Sequence, residues 1–336
     1  MKGETIMGYA LTKACADGIF SKLSETYDIY APVVFEGEAT FSDLDNIRYG
    51  KVSSLDEIEF ETKSEYSFKE VLLSIQENLF YFADDTTTIP KISDKGILIF
   101  LRSCDLCAVK RLDQIYLNNG PEDFYYKRLR EKAKFILMGC PHTCKSGFCV
   151  SMGTNKADNY DMYLKVAGDE VTVDVKDAEL ATYFAEGTET IVTPDYVEEN
   201  NEKVTLPKNL SNATFANPIW EEYGSRCIKC GRCNFVCPTC TCFTMQDIYY
   251  QENKNVGERR RVWASCQLDN YDTIAGGIQF RKTNGDRMRF KVMHKIYDFE
   301  KRFGYPMCVG CGRCEEVCPE YISYITIINR LAKEEE

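Results

Sequence analysis

The sequence has few of the residues and patterns on which several common functions depend. It contains two histidines in 336 residues, so most acid–base mechanisms built on histidine lack their parts. Its longest uninterrupted aliphatic or aromatic run is five residues, 97–101, whereas about 20 apolar residues are needed to span a bilayer. Lys13 and Asp17 interrupt any apolar core of an N-terminal signal peptide. We therefore expect no membrane contact and a cytoplasmic location.

Two further ligand classes are disfavoured by what the chain lacks. Its net charge is −11, from 41 Lys and Arg against 52 Asp and Glu, which argues against a general nucleic-acid binder. It has no Gly-x-Gly-x-x-Gly turn and no phosphate-binding loop. We therefore predict no nicotinamide or flavin site and no catalytic residue in this chain, so that hydride chemistry would belong to a partner.

Cysteine, by contrast, is abundant, with 17 residues. In a reducing compartment, clustered cysteines are metal ligands or redox groups more often than structural disulfides. Eight of the 17 form two runs of identical spacing, Cys-x2-Cys-x2-Cys-x3-Cys-Pro. The first run is Cys227, Cys230, Cys233 and Cys237, and the second is Cys308, Cys311, Cys314 and Cys318. This spacing is typical of bacterial ferredoxins and predicts two [4Fe–4S] clusters.

The spacing also predicts how the ligands are shared. Three thiolates two residues apart bind three corners of one cubane, and the fourth cysteine points to the other cluster. Cluster 1 would then be held by Cys227, Cys230, Cys233 and Cys318, and cluster 2 by Cys308, Cys311, Cys314 and Cys237. Gly231 and Gly312 stand where each loop needs a left-handed backbone. Zinc also binds four thiolates, but it usually takes two Cys-x2-Cys pairs.

The upstream half predicts an α/β fold. Residues 97–101 and 134–138 are typical of buried parallel strands, and an amphipathic helix capped by Ser103 or Asp105 is expected at 105–116. The carboxyl ends of the two strands lead into Cys104 and Cys140, at the sheet edge where open α/β folds bind ligands. This placement predicts a third [4Fe–4S] cluster. Its ligands would be Cys104, Cys140 and Cys149, with Cys144 or Cys107 as the fourth. The alternative is that some of these are buried free thiols.

The length suggests two domains. We place an α/β domain with the extra iron–sulfur site at 1–215 and a mainly α-helical, dicluster ferredoxin-like domain at 216–336. Further expected elements are a helix at 68–82, a hairpin turning at Gly168 and a helix at 288–303.

Two features of the cysteine-rich half remain open at this level. The stretch 251–306 carries 12 Lys and Arg against 7 Asp and Glu. Its basic groups would serve a redox partner, compensate cluster charge or simply face solvent. Cys240, Cys242 and Cys266 would ligate a further cluster, replace a motif cysteine or pack as free thiols, and Cys15 is expected to be a buried free thiol.

Several strings together resemble one family. They are residues 227–242 and 259–266, the second cysteine run at 308–319, and, upstream, residues 102–105, 112–113 and 148–156. From about residue 95 onward the chain resembles the iron–sulfur dicluster electron-transfer component of the anaerobic sulfite reductase, and the related β subunit of cytosolic sulfhydrogenases is similar. The string Val-Ser-Met-Gly-Thr-Asn-Lys at 150–156 favours the sulfite reductase branch.

The resemblance implies a three-subunit complex that reduces sulfite to sulfide with NADH. In it this chain would relay electrons between the flavin-binding and the sirohaem-binding subunits. The alternatives are the equivalent subunit of a hydrogenase or heterodisulfide-type reductase, and a structural zinc protein that mediates assembly.

Overall fold

Strands and short helices alternate along the chain. The computed structural model describes residues 7–39, 43–250 and 255–334. Within these ranges the strands are β1 (Met7–Thr12), β2 (Tyr27–Phe35), β3 (Asn46–Lys51), β4 (Gln76–Ala83), β5 (Thr86–Thr88), β6 (Gly96–Leu101), β7 (Ala133–Leu137), β8 (Met162–Ala167), β9 (Glu170–Val175), β10 (Thr188–Thr190), β11 (Phe243–Tyr249) and β12 (Val256–Trp263). The α-helices of the same ranges are α1 (Lys13–Thr26), α2 (Lys69–Leu72), α3 (Ser103–Tyr116), α4 (Phe124–Arg130), α5 (Ala178–Phe184), α6 (Ile219–Arg226), α7 (Arg232–Phe235), α8 (Asn284–Met293), α9 (Phe299–Phe303), α10 (Arg313–Glu316) and α11 (Tyr324–Lys333). A π-helical turn, His294–Asp298, joins α8 to α9.

The chain forms two compact units, each assembled from separate segments. The first combines the residues up to Leu72 with Ser93–Cys144 and Thr154–Glu199, and the second takes the rest. The sequence predicts one division after residue 215, but the segments Leu73–Ile92 and Lys145–Gly153 belong to the second unit. Strand pairing explains why Leu73–Ile92 belongs to the second unit, because β4 pairs with β12 over most of its length.

The first unit is built on an eight-stranded mixed sheet. Its strand order is β10-β1-β9-β8-β7-β6-β2-β3, and the neighbours β2, β6, β7 and β8 run parallel. β6 is buried over its last five residues, as expected for a strand covered on both faces. The predicted α/β fold of the N-terminal half is therefore confirmed.

The predicted β-α-β unit is also present. β6 runs directly into α3, which buries Leu106, Val109 and Leu112, and β7 pairs with β6 in parallel. The predicted cap is wrong, because α3 begins after Arg102 and has no side-chain cap. The hairpin of β8 and β9 turns at Gly168, whose φ is +64°, as predicted.

The second unit contains an antiparallel sheet of order β11-β12-β4-β5. The helix predicted at 68–82 is wrong beyond Leu72, since residues 76–83 form β4. The run Leu-Phe-Tyr-Phe at 79–82 has high strand propensity, and pairing with β12 overrides the helical spacing. A buried ion pair across this pairing joins Arg261 Nη2 to Glu77 Oε2 at 2.8 Å.

Helices supply the other core of the second unit. Val292 of α8 and Ile327 and Ile328 of α11 are fully buried in one cluster with residues of α6. The predicted helix at 288–303 is continuous through α8, the π turn and α9. The prediction of a mainly helical dicluster region is confirmed only in part, because β11 and β12 lie between the two cysteine runs. None of the helices in the described ranges combines the length and apolar composition that crossing a bilayer requires.

Candidate metal centre

The two cysteine runs fold into loops with the same backbone conformation. Gly231 and Gly312 both have φ +74° and stand at the N-termini of the short helices α7 and α10. Two residues earlier, Lys229 and Gly310 have φ +60° and +63°. The predicted left-handed conformation of both glycines is confirmed, and the sequence repeat is a structural repeat.

The second loop also needs glycine because other backbone lies against it. A Cβ atom on Gly312 would lie 2.2 Å from the carbonyl oxygen of Ser146, and one on Gly310 would lie 2.6 Å from that of Phe148. Phe148 N–H donates to the Gly310 carbonyl at 2.7 Å. Residues 145–153 therefore form one wall of the second loop.

The first set of thiols combines residues of both runs. The charge of the Cys227 thiolate interacts with those of Cys230, Cys233 and Cys318. The same four cysteines line one cavity, together with Cys314 and Lys291. The fourth cysteine of the second run thus lies beside the first three of the first run.

The second set has the reciprocal composition. Cys308 interacts with Cys311 and with Cys237, the fourth cysteine of the first run. Cys314 interacts with Cys311 and Cys308. The two runs therefore exchange their fourth cysteines in space, although their first cysteines are 81 residues apart in the sequence.

These thiols are poor acids without a bound cation. Burial raises the pKa of Cys308 to about 12, and it also raises the pKa of Cys233 and Cys314 above the ordinary value. The thiolate is the form that binds metal. Binding a cluster must therefore displace protons from these sulfur atoms, which couples assembly of the site to pH.

Backbone amides point at several of the sulfur atoms. Gly310 N–H donates to Cys308 Sγ at 3.4 Å, and Ile322 N–H donates to Cys318 Sγ at 3.4 Å. The Lys229 amide makes the equivalent bond to Cys227. Such bonds stabilise charge on the sulfur and raise the reduction potential of a cluster.

Two buried lysines provide positive charge among the thiols. Lys291 and Lys295 are 6% and 3% exposed and lie one helical turn apart. Burial alone would lower the pKa of Lys291, but the thiolates of Cys233, Cys314 and Cys240 hold it above the ordinary value. For Lys295, Cys237, Cys240 and Cys308 outweigh burial in the same way and keep its pKa raised.

Sequence reasoning included these lysines only as part of a basic stretch. Their signal was present, because they directly precede Val292 and Ile296, the apolar residues of the buried helix face. Other basic residues of the stretch are paired locally. The pairs are Arg259 with Asp247, Arg260 with Glu258, Arg261 with Glu77, and Arg287 with Asp269. Of the roles considered for the basic stretch, compensation of the negative charge of the clusters therefore fits the two buried lysines.

The cysteines predicted for a third cluster divide between the units. In the first unit, Arg102 is buried and interacts with Cys140, Cys144 and Cys104, and its Nη1 donates to Cys140 Sγ at 3.8 Å. Cys107 lies elsewhere on α3, with its sulfur 3.8 Å from the carbonyl oxygen of Lys156.

Cys149 belongs to the second unit. There its sulfur lies 3.6 Å from Asn200 Oδ1. Within residues 7–39, 43–250 and 255–334, no three His, Cys, Asp or Glu side chains are arranged to hold a single metal ion. All 17 cysteines lie in these ranges, and none of them forms a disulfide.

The residues present fit two [4Fe–4S] clusters. Eight thiols form two sets of four, amide donors point at sulfur, and two buried cations offset the negative charge of thiolate-ligated clusters. Four of the eight cysteines also pack against the apolar core of α6, α8 and α11. Because that core excludes water, it lowers the local dielectric constant and strengthens these electrostatic interactions.

Comparisons with known proteins agree with this chemistry. Residues 226–322 match the 4Fe-4S dicluster domain, which implies two [4Fe–4S] clusters. Over 333 aligned residues the chain is 29% identical to Sulfhydrogenase 2 subunit beta of Pyrococcus furiosus, and the alignment covers 93% of this chain and 94% of the relative. No solved structure matches the chain. The chain therefore contains a 4Fe-4S dicluster domain and is similar over nearly its whole length to a sulfhydrogenase β subunit.

Proposed function

We propose that the chain passes single electrons between a flavin subunit that oxidises NADH and a second, catalytic subunit of an oxidoreductase complex. The observation that carries this proposal is the exchange of the fourth cysteines, Cys237 and Cys318, between the two loops. It supports two cubanes held side by side within one unit. When bound, each [4Fe–4S] cluster supplies a one-electron redox couple.

The proposed ligand sets follow the two groups of thiols. Cluster 1 takes Cys227, Cys230, Cys233 and Cys318. Cluster 2 takes Cys308, Cys311, Cys314 and Cys237. The remaining work belongs to the residues around them: Lys291 and Lys295 hold positive charge, Gly310 and Ile322 donate N–H bonds to sulfur, and the core of α6, α8 and α11 excludes water.

The catalytic subunit has two candidates, and each has its own support. Over 93% of its length the chain aligns with the β subunit of a sulfhydrogenase. This similarity supports a hydrogenase as the catalytic partner. The string at 150–156 supports a sirohaem-containing subunit that reduces sulfite to sulfide under anaerobic conditions. We favour the sulfhydrogenase-type complex, because its support extends over nearly the whole chain. The cytoplasmic location stays a prediction.

A third [4Fe–4S] cluster, with Cys104, Cys140 and Cys144 of the first unit among its ligands, also stays a proposal. Its support is the first unit, where these three cysteines surround the buried cation Arg102. Substitution of Cys104 by serine should lower the iron content by about four atoms per chain. An unchanged iron content would limit the protein to the two clusters of the second unit.

The experiment that tests the function is anaerobic purification of the full-length chain with its natural partners. We expect a brown complex that contains one flavin and one catalytic subunit. Nickel and iron in the catalytic subunit would support the sulfhydrogenase-type complex, and sirohaem would support the sulfite reductase. A colourless protein containing zinc, or a chain that purifies without redox partners, would refute the electron-transfer role.

A further inference from the structure

Three cysteines outside the two motifs line one cavity of the second unit. Cys240 and Cys242 follow the first cysteine run, and Cys266 follows β12. All three border a cavity of about 280 Å³. The Ala264 N–H donates to the carbonyl of Cys242 at 2.9 Å, and this bond fixes the two chain segments side by side.

Cys242 and Cys266 are in direct contact. Their side chains share a hydrogen bond, and the Cys242 sulfur also accepts bonds from the Cys266 amide and the Tyr271 hydroxyl. These donors, led by the Cys266 side chain, lower the pKa of Cys242 to about 6. Lys295 adds a favourable charge. Of the two thiols, Cys242 is therefore the one that more readily becomes a thiolate.

Cys266 is the proton-bearing partner. Its bond to Cys242 and its burial raise its pKa far above the ordinary value. Asn234 Nδ2 donates to its sulfur at 3.0 Å, and Gln267 Nε2 donates at 3.6 Å. The pair thus consists of an activated nucleophile and a fixed second thiol, which is the arrangement that thiol–disulfide exchange requires.

The rest of the cavity is basic. Arg281, Lys291 and Lys295 line it. Asp272 lies 3.5 Å from Arg281 Nε and offsets part of that charge. Burial, followed by the charges of Lys295 and Arg281, lowers the pKa of His294 to about 4, so this imidazole is neutral. The lining therefore favours a small anion.

Cys240, the third cysteine of the cavity, bonds to a different residue. Its side chain shares a hydrogen bond with Cys237, a motif cysteine, whereas Cys242 and Cys266 bond to each other. The two thiols of this pair are therefore neighbours, as a disulfide requires.

We propose that Cys242 and Cys266 are a redox-active dithiol that reduces small anionic disulfides bound in the basic cavity. The Cys242 thiolate attacks one sulfur of the disulfide, a mixed disulfide forms, and one thiolate product leaves. Cys266 then loses its proton and attacks the Cys242 sulfur, which forms the Cys242–Cys266 disulfide and releases the second thiolate. Return to the Cys242 thiolate and the Cys266 thiol consumes two electrons and one proton. This part rests on the proposed function, which supplies the electrons.

The test uses the anaerobic full-length chain with its clusters and the dianionic disulfide 5,5′-dithiobis(2-nitrobenzoate). We expect a fast first phase that releases two equivalents of thionitrobenzoate per chain, ahead of the slower reaction of the other free thiols, and a disulfide between tryptic peptides 233–254 and 262–281. The initial rate should rise with pH and be half-maximal near pH 6. Among alkyl disulfides, the dianionic dithiodiglycolate should react faster than the dicationic cystamine by about tenfold. Mass spectrometry of the alkylated digest identifies the linked peptides.

Single variants separate the two roles. Cys266→Ser should release one equivalent in the fast phase and retain a stable mixed disulfide at Cys242. Cys242→Ser should slow the initial release of thionitrobenzoate by about tenfold or more. Cys15→Ser, which alters a cysteine of the first unit, should behave as wild type.

Iron content distinguishes failure of this inference from failure of the electron-transfer role. The Cys242→Ser/Cys266→Ser double variant should keep the wild-type iron content and cluster spectra. Loss of about four iron atoms in that variant would overturn the dithiol, because the pair would then be cluster ligands. Absence of the linked peptides in wild type, or two equivalents released by Cys266→Ser in the fast phase, would overturn it as well. Absence of iron in wild type would instead refute the function.

Discussion

Removal of the buried charge at Lys295 should lower the reduction potential of cluster 2. Lys295 is 3% exposed and faces Cys237 and Cys308, both proposed ligands of that cluster. At a separation of about 6 Å and an effective dielectric constant of about 20, one unit charge is worth about 3 kcal/mol. Because a tenfold change in a one-electron equilibrium corresponds to about 59 mV, Lys295→Met should lower the midpoint potential by on the order of 100 mV.

The assay is a redox titration of the anaerobic protein followed by electron paramagnetic resonance. Lys295→Arg, which keeps the charge, should stay near the wild-type potential and guards against an effect of lost packing. The exposed Lys301 of α9 offers a matched control, since Lys301→Met removes the same charge where water screens it. A fully iron-loaded Lys295→Met protein with the wild-type potential would refute the role assigned to this lysine.

Two further predictions concern the loops. Cys318→Ser should disturb the cluster 1 signal more than the cluster 2 signal, and the reverse pattern in spectra of the reduced protein would reject the exchange of ligands. Gly312→Ala should lower the melting temperature more than Gly304→Ala does, because both glycines have positive φ but only Gly312 would place its Cβ against backbone, at 2.2 Å from Ser146 O. Left-handed strain alone costs roughly 1–2 kcal/mol, so equal shifts in thermal unfolding would show that segment 145–153 yields easily.

Local features of the site could be predicted from sequence because they depend on spacing. The glycine two residues before the third cysteine of each run determined the left-handed turn, and the structure has φ +74° at both. The β-α-β unit that begins at residue 97 followed in the same way from apolar runs and helical periodicity. Such patterns act over a few residues and need no knowledge of the rest of the chain.

Long-range pairing could not be predicted in this way. Residues 76–83 carry apolar side chains at helical spacing, yet they pair with β12, which lies about 180 residues later in the sequence. The burial of Lys291 and Lys295 depends on thiols contributed by both runs, so charge composition alone left their role open. The contact between Cys242 and Cys266 depends on the register of β11 and β12, which the sequence pattern does not specify.

Metal analysis of the anaerobically purified full-length chain tests the central claim most directly. The comparison is between wild type and a variant in which all eight motif cysteines are serine. Two [4Fe–4S] clusters predict that wild type contains about eight more iron atoms and eight more sulfide ions per chain than the variant. Zinc in wild type, or equal iron in both proteins, would contradict the account.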